Sequence, residues 1–134
     1  MFTLQPIGTL FIRFVLGIIF FMHGLTKMQN GIENTAGFFT SLGLPGFSAY
    51  LVAGIELIGG LLIIIGLGTR IIAVLFAAIM LGAILMVNGS NGFVGGYEFE
   101  LSLLAMSLFL VFNQAQVFAL DNILPFYKSK QQSA

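Results

Sequence analysis

The sequence predicts an all-α integral membrane protein, a four-helix bundle with both termini on the cytoplasmic side. Its 134 residues are 58% hydrophobic and only 7% charged, and the mean hydropathy is +1.05. Soluble domains contain ~25% charged residues, so this composition excludes a water-soluble globule. Since single spans satisfy their own backbone hydrogen bonds only as helices, we expect one helical transmembrane domain over residues 1–134.

Four apolar stretches are long enough to cross a hydrocarbon core of about 30 Å at 1.5 Å per residue. They cover residues 7–28, 47–67, 69–87 and 98–120. Between the first two, residues 34–42 predict an interfacial helix with Phe38, Phe39 and Leu42 on one face. The glycine-rich connection 88–97 lacks the lysine of a phosphate loop, so we interpret it as a turn or a re-entrant cap.

The positions of lysine and arginine predict the orientation of the bundle. Arg13, Arg70, Lys128 and Lys130 fall on one side of the predicted spans, and Lys27 falls on the other. Because cytoplasmic loops carry an excess of Lys and Arg, both termini are expected in the cytoplasm.

The residues available limit the chemistry. The chain has no cysteine and one histidine, which excludes disulfides, thiol redox chemistry and a two-histidine haem site. Its formal net charge is zero, and without a basic patch it has no site for nucleic acid. We therefore expect no metal and no intrinsic cofactor, so redox chemistry would need electrons from a partner.

Ionisable residues nevertheless occur inside the spans. A charged side chain near the bilayer centre costs ~2.5–3.5 kcal/mol on insertion scales, so each should face protein, a wet cavity or the headgroups. The polar residues predicted near the outer face are His23, Lys27, Glu56, Asn88 and Glu98. They predict a polar pocket in the outer half of the bundle. The candidate substrate-binding residues are Arg13, His23, Lys27, Glu56 and Glu98.

Several of these residues also have a purely structural interpretation. A pair between Glu56 and Lys27 or His23 could fix the register of two helices. Arg13 could extend to the inner headgroups or pair with Asp121, and Lys27 could extend to the outer headgroups.

The fourth span begins with two carboxylates, Glu98 and Glu100. Successive helical residues turn by ~100°, so these side chains are ~200° apart. We expect Glu98 to face the pocket and Glu100 to face solvent. At the other end of this span, Asn113, Gln114 and Gln116 are interpreted as interfacial.

Small residues predict where the helices pack closely, since lipid provides no hydrophobic drive for helix association. The candidates in the first two spans are Gly17, Gly24, Ala53, Gly54, Gly59 and Gly60.

Several short motifs resemble one family when taken in order. They are Arg13 with Leu16-Gly17, Phe21-Met22-His23-Gly24 with Lys27, Phe39 with Gly43-Leu44-Pro45, Gly54-Ile55-Glu56-Leu57 with Gly59-Gly60, Gly66 with Thr69-Arg70, and Tyr97-Glu98 with Leu101 and Asp121. The chain resembles the DoxX family of small four-helix membrane proteins over nearly its whole length.

The resemblance implies a multi-pass protein of the bacterial plasma membrane that acts as an oxidoreductase subunit or a quinol-oxidase-like component. Some members are linked to thiosulfate or quinone oxidation, others to oxidative and thiol stress, and one branch to catechol or quinone detoxification. The polar positions carried over are Arg13, His23, Lys27, Glu56 and Glu98. Many relatives have a glycine-rich turn before Asp121, where this chain has Asn113-Gln114-Ala115-Gln116 and then Phe118.

We therefore predict a membrane oxidoreductase component that binds a quinone or a related small aromatic in the polar pocket. Lys27 or His23 would hydrogen-bond a ring carbonyl, and Glu56 or His23 would exchange a proton. A soluble or membrane-bound redox partner would supply electrons, and the chain could form a homo-oligomer in the bilayer. The alternatives are a non-enzymatic transporter of small molecules or lipids, and a membrane anchor subunit of a redox complex.

Overall fold

The computed structural model describes residues 4–113 and 116–124, in which every regular element is helical. Four helical segments are long and apolar enough to cross a membrane, which confirms the predicted fold class: Gln5–Gln29, Phe47–Ile65, Thr69–Asn91 and Phe93–Phe112. The main elements are α1 (Gln5–Gln29), α2 (Ile32–Ser41), α3 (Phe47–Ile65), α4 (Thr69–Ala83) and α5 (Glu98–Phe112). The cytoplasmic position of the termini stays a prediction, and Gln114, Ala115, Lys128 and Lys130 lie outside the described residues.

The short helix α2 lies between the first two spans, close to the predicted residues 34–42. Gly31 precedes it with a φ of 91° and Gly43 follows it with a φ of 86°, values that favour glycine because it lacks a Cβ atom. The chain therefore turns sharply on both sides of α2. We call the end of the bundle that carries α2 the α2 end, and the opposite end the Arg13 end.

The glycine-rich connection forms a break between α4 and α5. From Ala83 the helix continues as a π-helical turn, Ile84–Asn88, and a 3-10 turn, Gly89–Asn91. Val94, Gly95 and Gly96 then leave helical geometry before α5 begins. This break sets which face of α5 is turned toward the other helices.

The last span ends at Phe112, so the predicted extension to residue 120 is wrong. Asn113 has an extended backbone, with φ of −99° and ψ of 118°. Its side chain accepts a hydrogen bond from Gln5 at 2.9 Å and donates one to Thr9 at 2.7 Å. Asn113 is therefore held against α1 by polar contacts, and residues 116–124 contact the Arg13 end.

Helices α1 and α3 pack closely through glycine. A methyl group added at Gly17 would lie 2.7 Å from the carbonyl oxygen of Gly60, and one at Gly60 would lie 2.6 Å from that of Gly17. A methyl group at Gly24 would lie 2.7 Å from the backbone nitrogen of Leu57. The small-residue prediction is confirmed at these positions, whereas Gly54 has open space beside it.

The core lies between the α1–α3 pair and the α4–α5 pair. Phe20 of α1 stacks on Phe76 of α4, with ring centroids 3.7 Å apart and planes 9° from parallel. The buried cluster around this stack contains Leu16, Ile63, Ala73, Met80, Leu103 and Leu110.

Candidate functional site

A cavity of about 460 Å³ lies between the two helix pairs, near the α2 end. This volume falls within the ~300–1,000 Å³ typical of small-molecule sites. The lining is mostly apolar, and its polar members are His23, Lys27, Glu56 and Glu100.

An ion pair between α1 and α3 forms part of the lining. Lys27 Nζ lies 2.6 Å from Glu56 Oε2 and donates a hydrogen bond to it. The Glu56 side chain is 4% exposed and that of Lys27 is 23% exposed. The Glu56 side chain is therefore withdrawn from the surroundings of the bundle, while the Lys27 side chain remains partly exposed.

Glu100 of α5 lines the cavity and has the most unusual hydrogen bonding of its polar residues. Asn88, in the π-helical turn after α4, donates a hydrogen bond to Glu100 Oε1. Glu100 Oε2 is buried, and within the described part of the chain it is the one buried side-chain nitrogen or oxygen without a hydrogen-bond partner. Since leaving such an atom unpaired costs ~1–3 kcal/mol, this oxygen is a candidate acceptor or donor for a bound molecule.

The sequence misassigned the two carboxylates of α5. Glu100 lines the cavity, so the prediction that it faces solvent is wrong, and Glu98 is not a lining residue. Helical periodicity gave the angle between the two residues but not the absolute rotation of α5, which the backbone break before it determines. A usable signal was the spacing of Glu100 from Leu103 and Ser107, both of which are buried in α5.

His23 lies one helical turn before Lys27 and also lines the cavity. Its ring centroid is 5.6 Å from that of Phe99, with the planes 31° apart. The residue is exposed overall, so its ring borders the cavity rather than being enclosed in the core. Its imidazole can donate or accept a hydrogen bond at that border.

Aromatic and aliphatic side chains close the cavity at both ends. Phe20 lines it toward the Arg13 end, where the stack with Phe76 continues into the core. At the α2 end the lining comes from Phe39, Leu42 and Leu44, all half-buried. The cavity can therefore accommodate a flat, largely apolar molecule with polar atoms directed at the carboxylates and the lysine.

Arg13 does not join this cavity. It lies about 15 Å along α1 from His23, at the other end of the bundle, and is fully buried. Its guanidinium donates hydrogen bonds to the carbonyl oxygens of Ile63 at 3.0 Å, Ile64 at 2.8 Å, Val117 at 2.7 Å and Phe118 at 3.0 Å. The prediction that Arg13 extends to the headgroups is wrong, because it instead satisfies the last carbonyls of α3.

Asp121 stabilises the same end in a way that the sequence did not reveal. Its carboxylate accepts hydrogen bonds from the backbone nitrogens of Gly68 at 2.7 Å and Thr69 at 3.1 Å. The carboxylate therefore caps the first turn of α4, a favourable position for negative charge. Thr69 Oγ1 in turn donates to Gln116 Oε1 at 3.1 Å, which fixes the returning segment.

Comparison with known proteins identifies the family. The family model for DoxX matches residues 8–89, which is more than half of the chain. The chain belongs to the DoxX family. The matched residues include His23, Lys27 and Glu56 but end before Glu100, so the family match covers the lining from α1, α3 and α4 but not that from α5.

This DoxX chain is similar to a Bacillus subtilis protein named "Putative oxidoreductase CatD", with 51% identity over 115 residues, covering 86% of this chain and 85% of that protein. It is 36% identical to a Haemophilus influenzae protein, covering 88% of this chain and 91% of the relative. An uncharacterized membrane protein of Mycobacterium tuberculosis is 29% identical, with coverage of 89% and 82%. No solved structure gives a significant match.

Proposed function

We propose that this DoxX chain is the ligand-binding component of a membrane oxidoreductase, and that its cavity binds a quinone or a related small aromatic. The observation that carries the proposal is one apolar cavity in which Lys27, Glu56 and Glu100 come together from three helices. The name of the Bacillus subtilis relative supports redox chemistry as the general activity.

The lining fits the chemistry of a quinone ring. Such a ring is flat and apolar, with two carbonyl oxygens that accept hydrogen bonds. Lys27 and His23 can donate to a carbonyl at the border of the cavity. Glu100 Oε2, which is buried and has no partner among the described residues, can donate to a carbonyl when protonated or accept from a hydroxyl when ionised.

In the proposed reaction the chain supplies binding and protons, and a partner supplies electrons. Reduction of a quinone to its quinol consumes two electrons and two protons. Glu100 and the Lys27–Glu56 pair are the groups positioned to exchange protons with the two ring oxygens. Because the chain contains no cysteine and no other redox-active side chain is proposed, we assign electron delivery to a soluble or membrane-bound redox partner.

Proteoliposomes provide the test. The purified chain is incorporated into liposomes that contain a naphthoquinone, and NADH with the soluble fraction of the producing cells supplies electrons. Quinol formation, followed by absorbance, should exceed that of protein-free liposomes and should fall by at least about tenfold in Glu56→Gln. A Gly8→Ala variant is the matched control, because Gly8 is exposed on α1 with open space beside it.

Other outcomes would select the alternatives. Movement of the unreduced aromatic across the liposome membrane, without quinol formation, would indicate a transporter. If neither activity appears and a redox protein co-purifies stoichiometrically, the chain is an anchor subunit. Either result would contradict the proposed ligand-binding role in reduction.

A further inference from the structure

A second depression runs along the outside of the bundle between α3 and α4. It has a volume of about 350 Å³. Leu51, Ile55 and Leu75 line both this groove and the cavity. These three side chains therefore lie between the cavity and a groove on the surface that faces the bilayer.

The shared residues lie at the surface of the bundle rather than in its core. Leu51 is 58% exposed and Leu75 is 37% exposed. Both belong to membrane-spanning helices, so they border hydrocarbon. At the α2 end, by contrast, Phe39, Leu42 and Leu44 line the cavity. The side of the cavity between α3 and α4 is therefore the side that adjoins lipid, with the three shared residues in between.

The shape and polarity of the groove fit a hydrocarbon chain. Apart from Tyr50, its lining consists of leucine, isoleucine and glycine. Gly54 leaves open space, since a Cβ atom added there would meet nothing within 4 Å. From Tyr50 to Gly59 the groove extends about 13 Å along α3, away from the α2 end.

We propose that the groove holds the hydrocarbon tail of the same ligand whose ring occupies the cavity. This inference rests on the proposed function and narrows it. The ligand class becomes a lipid-soluble quinone with an isoprenoid tail, taken directly from the bilayer, rather than a small water-soluble catechol. The ring meets the carboxylates near the α2 end, and the tail follows α3 toward the bilayer centre.

The test compares two quinones with one ring in the chain reconstituted in nanodiscs. The probes are 2-methyl-1,4-naphthoquinone and its derivative with a phytyl tail at carbon 3, with affinities expressed per mole fraction in the lipid. The tail should raise affinity at least about tenfold. In Gly54→Leu this gain should fall below about threefold, while the affinity of the tail-less ring stays within about twofold of the wild type. Gly8→Leu, also a glycine with open space around its Cβ position, should behave like the wild type.

Each other result has a separate meaning. If the tail-less ring binds and the tail adds nothing, this inference fails and the proposed function stands. If neither quinone binds, both fail. A tail-dependent gain that persists in Gly54→Leu, or loss of bound phospholipid alone in native mass spectrometry of that variant, would assign the groove to another occupant and overturn the inference.

Discussion

Lys27 and Glu56 join α1 to α3 across 2.6 Å, and the carboxylate is the more buried partner, with 4% of its side chain exposed against 23% for the lysine. Both residues belong to the small polar part of an otherwise apolar cavity lining. The pair therefore serves two purposes, since it fixes the two helices and presents charge to a bound molecule.

The asymmetric burial predicts unequal effects of removing each partner. Lys27→Met leaves a buried carboxylate without its cation, so we expect a loss of about 2–4 kcal/mol in unfolding free energy. Glu56→Gln leaves a lysine whose side chain is partly exposed, and should cost less. The double variant should recover at least half of the Lys27→Met loss in SDS-induced unfolding. Purely additive losses would mean that the pair does not stabilise the α1–α3 contact.

Arg13 should be essential for stability and unimportant for binding. Arg13→Lys cannot reproduce four hydrogen bonds to carbonyl oxygens from one planar group, so we expect a loss of about 3 kcal/mol. The affinity of the remaining folded protein for 2-methyl-1,4-naphthoquinone should change by less than about twofold. A large loss of affinity in a stable variant would restore Arg13 to the binding site.

The contact between Gly17 and Gly60 should not accept even one methyl group. In Gly17→Ala the Cβ atom would meet the Gly60 carbonyl oxygen at 2.7 Å, and we expect a loss of about 1–3 kcal/mol. Gly8→Ala, with open space at the Cβ position, should be neutral or stabilising by up to about 1 kcal/mol. Equal thermal stability of the two variants would contradict the close approach of α1 and α3.

Variants of the two carboxylates at the start of α5 test which of them contributes to the cavity. The sequence predicted Glu98, whereas the structure places Glu100 there. Glu100→Gln removes the carboxylate of a residue that lines the cavity, so quinone affinity should fall about tenfold. Glu98→Gln should leave it within about twofold, because Glu98 does not line the cavity. Equilibrium binding in nanodiscs measures both, and the reverse ranking would support the sequence-based assignment.

Much of this architecture could be predicted from residue order. Span lengths and small residues were sufficient to identify the four helices, and to indicate the close approach of Gly17 and Gly60, because bilayer thickness and helix packing impose strict requirements. That Glu56 has a partner on α1 followed from the cost of an isolated charge in hydrocarbon, although the sequence left Lys27 and His23 as alternatives.

What could not be predicted depended on the backbone between the spans. Gly95 and Gly96 lie in the break that precedes α5, and helical periodicity alone does not give the rotation of α5 that places Glu100 rather than Glu98 at the cavity. Arg13 was misassigned for a similar reason. Its acceptors are backbone carbonyls, including those of Val117 and Phe118. Because every residue type carries a carbonyl, residue identity does not indicate which ones accept from Arg13.

Filling the cavity tests the central claim most directly. Gly82 lines the cavity, and a Cβ atom added there meets nothing within 4 Å, so Gly82→Phe should fold and occupy the ligand space. We expect the wild type and Gly8→Phe to bind 2-methyl-1,4-naphthoquinone saturably in nanodiscs, at one ring per chain, and Gly82→Phe to lose at least about tenfold in affinity. Equal binding by all three proteins, or no saturable binding by the wild type, would contradict a ligand site between the two helix pairs.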